Sequence, residues 1–156
     1  LAFSELVYDH LPAIENDPAV FGEQQILNAE DALVGELKKL LINATDISLE
    51  AVPALVKGYG GVAFPAHIDR SSNSLLANLG FIPEEPFFET FEVHDLTKKE
   101  ALLTKDPILE KKRLITNSDA HYLWDINERV NCLHLPEDMA LSPASVCALL
   151  GSPPIR

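Results

Sequence analysis

Cysteine is nearly absent from this sequence: Cys132 and Cys147 are the only two in 156 residues, and neither belongs to a C-x-x-C pair. Their spacing excludes a zinc ribbon and a dithiol redox motif, so both are expected to fill core space. Basic residues are scarce as well, with 12 Lys and Arg against 24 Asp and Glu and a formal net charge of -12. Because a polyanion is held by clustered Lys and Arg, this balance argues against generic nucleic-acid affinity. It does not exclude a single anionic phosphoester, since bound divalent ions are often the largest charges in a site. No apolar run approaches the roughly 18 residues of a membrane span, and no charged segment leads into an apolar signal. A membrane partner is therefore not expected, and a cytoplasmic location is. Internal repeats and low-complexity segments are also missing.

With 156 residues and 47% hydrophobic content, the chain has the length of one domain and enough apolar side chains for an ordinary core. Residues 1–11 carry apolar side chains at helical spacing up to Pro12, predicting an amphipathic helix. Residues 24–28 and 32–36 flank Ala29-Glu30-Asp31 as a hairpin, and 15–45 together read as a hairpin or loop insertion. Ser48 is the expected cap of a helix over 49–57, stopped by the glycines at 58–61 and feeding an apolar strand at 62–66. A short helix runs from Ser74 to a stop at Gly80, followed by a strand at 88–94. Helical pieces at 97–103 and 108–112 break at Asp106-Pro107, a strand occupies 114–117, and a helical turn lies within 122–128. A last strand is expected at 130–135, a helix from Ser142-Pro143 to Leu150, and a loose tail at 151–156. This alternation predicts a mainly parallel α/β sheet.

The chemistry concentrates at two strand ends. Ile115-Thr116-Asn117-Ser118-Asp119-Ala120-His121 closes an apolar run with an acid and a histidine two residues apart. On an extended backbone both face one side, roughly 7 Å apart at Cα, and can converge on one metal or an adjacent pair. Gly61-Val62-Ala63-Phe64-Pro65-Ala66-His67-Ile68-Asp69-Arg70 repeats the plan. In parallel barrels functional groups gather at the C-terminal strand ends, and mixed imidazole and carboxylate donors suit Zn, Mn or Fe. From the residues alone, a ligand role for His67, Asp119 and His121 stands level with a hydrogen-bonded loop role. Arg70 has two readings, a fork on phosphate oxygens or a salt bridge to Asp69 or another nearby acid.

The stretches His67-Ile68-Asp69-Arg70-Ser71-Ser72 and Asn117 through Leu123 resemble the PHP family, the polymerase and histidinol phosphatase superfamily of metal-dependent phosphoesterases. The likeness is greatest to its small stand-alone bacterial members and runs from about Leu1 to Leu150. It implies a partial distorted (β/α)7 barrel of mainly parallel strands, with 1–150 forming the C-terminal portion of a single PHP domain. The family's opening His-x-His strand, and its Thr-Asp-His and Gly-Ile-Glu strand ends, do not occur in these residues, so the N-terminal strands are expected to be missing. The resemblance makes His67, Asp119 and His121 ligands of divalent ions (Zn, Mn or Fe) in an incomplete set, and Arg70 a substrate-binding residue. The implied activity is hydrolysis of a phosphate ester by metal-activated water. The implied partners are a small phosphorylated substrate and either the missing segment of the same protein or a second copy of the chain. The absence of the His-x-His segment also motivates a rival expectation, a non-catalytic or degenerate PHP module used for interaction or regulation.

Other polar residues read more plainly. His94 ends a strand and can reach the same rim without matching a family ligand, and Asp69 reads as structural. His10 and His134 read as ordinary surface or core histidines and Trp124 as packing. The run Glu110-Lys111-Lys112-Arg113 reads as a solvated helix end.

Overall fold

The computed structural model describes residues 2–85, 87–128 and 132–154, which divide into two units bounded as Leu1–Ser48 and Leu49–Arg156. In the first unit, helix α1 (Ala2–Asp9) ends against a single side chain. Lys39 Nζ donates to the carbonyl oxygens of Tyr8 (2.9 Å), Asp9 (3.1 Å) and Leu11 (2.9 Å). The last carbonyls of a helix lack intrahelical partners, and a cation is favoured at that end of the dipole. The Tyr8 hydroxyl returns the contact by accepting the backbone N–H of Lys38 and Lys39. Helix α2 (Pro18–Phe21) is one turn, with Asp17 accepting the Ala19 N–H and proline in its first turn. Strands β1 (Gln25–Leu27) and β2 (Leu33–Glu36) form an antiparallel hairpin. Asn28 shapes its turn by accepting the N–H groups of Glu30 and Ala32.

In the second unit, helix α3 (Val52–Gly58) starts later than expected, and its cap position is Ala51 with no side-chain bond. The late start places Pro53 in the first turn, where its missing N–H would have had no partner. A Cβ at Gly61 would stand 2.9 Å from Val56 Cγ1, so the chain leaves this helix through a turn that only glycine fits. Helix α4 (Leu75–Leu79) is bounded as anticipated, with Ser74 Oγ accepting the Ala77 N–H and Gly80 closing it at φ 80°. Strands β3 (Thr90–Glu92) and β4 (Arg113–Ile115) pair in parallel, Thr90 opposite Arg113 and Glu92 opposite Ile115. The crossover between them is a 3-10 turn (Leu96–Lys98), helix α5 (Lys99–Lys105) and a second 3-10 turn (Pro107–Lys111). Helix α6 (Pro143–Leu150) follows, opened by a reciprocal Ser142–Ser145 capping box.

All of β3 is buried, and Phe91 and Val93 join Ile68, Ile82, Phe88, Leu102 and Leu109 in the core of this unit. Phe88 and Phe91 meet edge to face, with centroids 6.1 Å apart, the geometry that aromatic quadrupoles favour. On the crossover side Lys112 lies 3.3 Å over the Phe87 ring and 3.4 Å from Glu89, with its side chain only 6% exposed. Arg113 donates to the carbonyls of Leu149 and Ser152 at the end of α6. The 110–113 run is therefore not a solvated helix end: two of its cations are used inside the unit.

The expected (β/α)7 barrel is not the fold. Among the described residues there are two sheets of two strands each, one antiparallel and one parallel, and no closed barrel. Two local causes are visible. Residues 62–66 form no regular strand, because Pro65 has no N–H to donate and the ladder slips at the next residues. Residues 132–135 also form no strand; a cavity of about 450 Å³ lies between them and Arg113, Leu114 and Ile115 of β4. The first residues of the strand expected at 130–135 fall outside the described set. Cys132, expected in the core, is exposed.

Candidate active site at the strand ends

The backbone beside β3 sets the site. Glu92 donates its N–H to the Pro65 carbonyl and accepts the Ile68 N–H, each at 2.9 Å. A regular parallel ladder would take the N–H of residue 67 at that point. The extra residue is a bulge centred on His67, whose φ is 34°, and bulges re-aim side chains next to sites. Ile68 is fully buried and anchors the segment, while His67 Nδ1 is buried and has no hydrogen-bond partner.

Past the bulge, Asp69 and Arg70 tie the segment to the other strand ends. Asp69 Oδ1 accepts the His94 N–H at 2.6 Å and Oδ2 the Asp95 N–H at 2.9 Å, so this acid is structural. Arg70 Nη1 pairs with Asp119 Oδ2 at 2.7 Å, and Nη2 stands 3.5 Å from His94 Nδ1. Of the two readings of Arg70, the structure has the salt bridge, made to Asp119 rather than Asp69.

On the β4 side, Asp119 also has left-handed backbone, φ 50°, a conformation in which aspartate is several-fold enriched. His121 Nδ1 lies 2.8 Å from the Asp119 carbonyl oxygen, and Asp125 accepts the N–H of both His121 and Tyr122. Next in the chain, Tyr122 and Trp124 stack at 4.9 Å with 5° between planes, both largely exposed, so Trp124 is not core packing.

Sequence reasoning passed over Glu92. It is 7% exposed and accepts the Asn117 amide at 3.0 Å, bridging β3 to the segment that carries Asp119. Its signal was an acid inside the apolar run Phe91-Glu92-Val93. Asp95 begins the crossover. Hydrogen bonds from the Thr97 hydroxyl first and its N–H second, with Lys98 nearby, hold its carboxyl below the usual aspartate range. His10, by contrast, lies in the other unit and pairs with Asp46.

The structure thus joins Arg70, Asp119 and His94 directly, sets His67 at the same strand end through its backbone, and places His121 two residues beyond Asp119. Among the described residues no group of three or more His, Cys, Asp or Glu side chains is placed to hold a metal ion. The donor types, taken singly, are ones that a divalent ion accepts, although they are not gathered around one point. A ligating histidine usually donates its second N–H to a carbonyl or carboxylate, and a proton on His121 Nδ1 directed at the Asp119 carbonyl would leave Nε2 as the lone-pair atom. His67 supplies a buried nitrogen without a partner, and Asp119 a carboxylate. Also among the described residues, no helix is long and apolar enough to cross a membrane. No family model matches the chain, and neither a curated protein nor a solved structure matches it.

Proposed function

We propose that these strand ends are part of a PHP-type, metal-dependent phosphoesterase site acting on a small phosphorylated substrate. The observation that carries the reading is the 2.7 Å pair between Arg70 and Asp119, which brings the two motifs of the resemblance together although they lie far apart in sequence. In this reading His67, Asp119 and His121 would hold a divalent ion, Zn, Mn or Fe, and the chemistry such an ion would supply is Lewis-acid charge and an acidified water. Arg70 trades its carboxylate partner for phosphate oxygens, a fork geometry that guanidinium suits better than an ammonium would. Asp69 keeps Arg70 in register by fixing the loop to the end of β3. Glu92 and Asn117 do the same for the Asp119 segment from below. A cytoplasmic location belongs to the same proposal.

The second reading, a non-catalytic PHP module, has its own supporting observation: the Asp119 carboxylate is already neutralised by Arg70. Calorimetric titration with Mn or Zn separates the two. The hydrolase reading expects binding that weakens by about 10-fold or more in Asp119→Asn or His121→Ala, together with metal-dependent hydrolysis of an aryl phosphate. Identical isotherms for wild type and both variants would sink it in favour of the module.

A further inference from the structure

A second cleft adjoins the strand ends, and its charge runs against that of the rest of the chain. Its volume is about 360 Å³, and its lining includes Arg70, Ser71, Leu76, Lys98, Leu102 and Lys105. Three of the chain's 12 Lys and Arg thus face one small space in a molecule with a formal net charge of -12. The acid in the lining, Asp69, has both oxygens taken by backbone N–H groups. Lys98 pairs with Asp95 Oδ2 at 3.7 Å, a long contact that leaves its ammonium on the cleft wall, and Arg70 pairs with Asp119, outside the lining. Among the described residues Lys105 has no acid in salt-bridge range.

Lys98 closes the 3-10 turn and pairs with Asp95 three residues before it, but it also stands at the cap position of α5, where the macrodipole is positive and a cation is disfavoured. Lys105, in the last turn, is favoured there, yet it faces the same cleft. Leu76 and Leu102 give the floor an apolar character suited to a short carbon chain.

We infer that this cleft binds a second anionic group of the substrate, a phosphate or carboxylate separate from the phosphoryl ester at the strand end. The inference rests on the phosphoesterase reading above, with Arg70 shared between the two places. It makes the substrate class a small phosphate ester carrying another anion.

The test is binding of propyl phosphate, its ω-carboxylate analogue and its ω-phosphate analogue to the full chain with Mn, followed by calorimetry. Wild type should hold both analogues about 10-fold tighter than propyl phosphate, the gain expected from one well-placed charge pair. Lys98→Gln combined with Lys105→Gln should erase that gain and leave propyl phosphate unchanged. Both lysines are exposed, so the fold is not at risk, and Lys57→Gln serves as a distant control. The stronger of the two analogues identifies the second group. Equal affinity for all three ligands, or a gain that survives the double substitution, overturns the cleft and leaves the strand-end reading standing. Failure of all three ligands to bind overturns the strand-end reading itself.

Discussion

Asp69 clamps the end of β3 by accepting the backbone N–H of His94 at 2.6 Å, and its other oxygen takes the next N–H in the chain. Removing the carboxylate strands two donors beside the core. Asp69→Ala should cost about 2 kcal/mol in chemical denaturation, and Asp69→Asn, which keeps one acceptor, clearly less. An unchanged denaturation midpoint in the alanine variant would mean that solvent or a neighbouring group replaces the clamp.

In the first unit the corresponding clamp is Lys39. Three carbonyls at the end of α1 share its ammonium, and a methionine of similar length satisfies none of them. Lys39→Met should destabilise this unit by about 2 kcal/mol, read as faster hydrogen exchange in α1. Protection in α1 equal to wild type would contradict the role of the ammonium as its cap.

Asp95 gives a pH dependence with a definite sign. Its folded-state pKa lies below the unfolded one, so its contribution is fully present above the ordinary aspartate value and is lost as pH falls through the folded value. Thermal melts followed through this acid range should therefore lose less stability in Thr97→Val, which lacks the hydroxyl that contributes most to the shift. Parallel acid-stability curves for the two proteins would show that the Thr97 hydroxyl is not its source.

Gly80 closes α4 in the left-handed region at φ 80°, and a Cβ there would meet nothing within 4 Å. The cost of Gly80→Ala is thus conformational rather than steric, about 1 kcal/mol. A loss well beyond that would point to a backbone rearrangement.

Most local punctuation was legible in the sequence, the Ser48 cap excepted because α3 begins at Val52, and long-range pairing was not. Ser74 and Gly80 bound their helix, Asp106-Pro107 breaks the crossover, Ser142-Pro143 opens α6, and the hairpin around 29–31 is present, because each rests on chemistry within a few residues. The barrel failed at places where register decides. Pro65 and the left-handed His67 interrupt the ladder at 62–66, and an apolar run does not reveal such a slip. At the strand ends, His67, Arg70 and Asp119 were visible as residue types following apolar runs. Which acid Arg70 would choose was open, since that choice depends on the φ of Asp119 and on Asp69 being used by the backbone. Glu92 and the lysines of the second cleft were missed because a buried acid and a misplaced cap lysine become informative only once their surroundings are known.

The stacked Tyr122 and Trp124 sit immediately after His121, and Trp124 is the chain's one tryptophan. Excitation at the red edge of protein absorbance will therefore report on this corner of the molecule and on no other. Any ion or ester that settles beside His121 and disturbs the stack should change that emission, giving an optical readout of the strand end without a label.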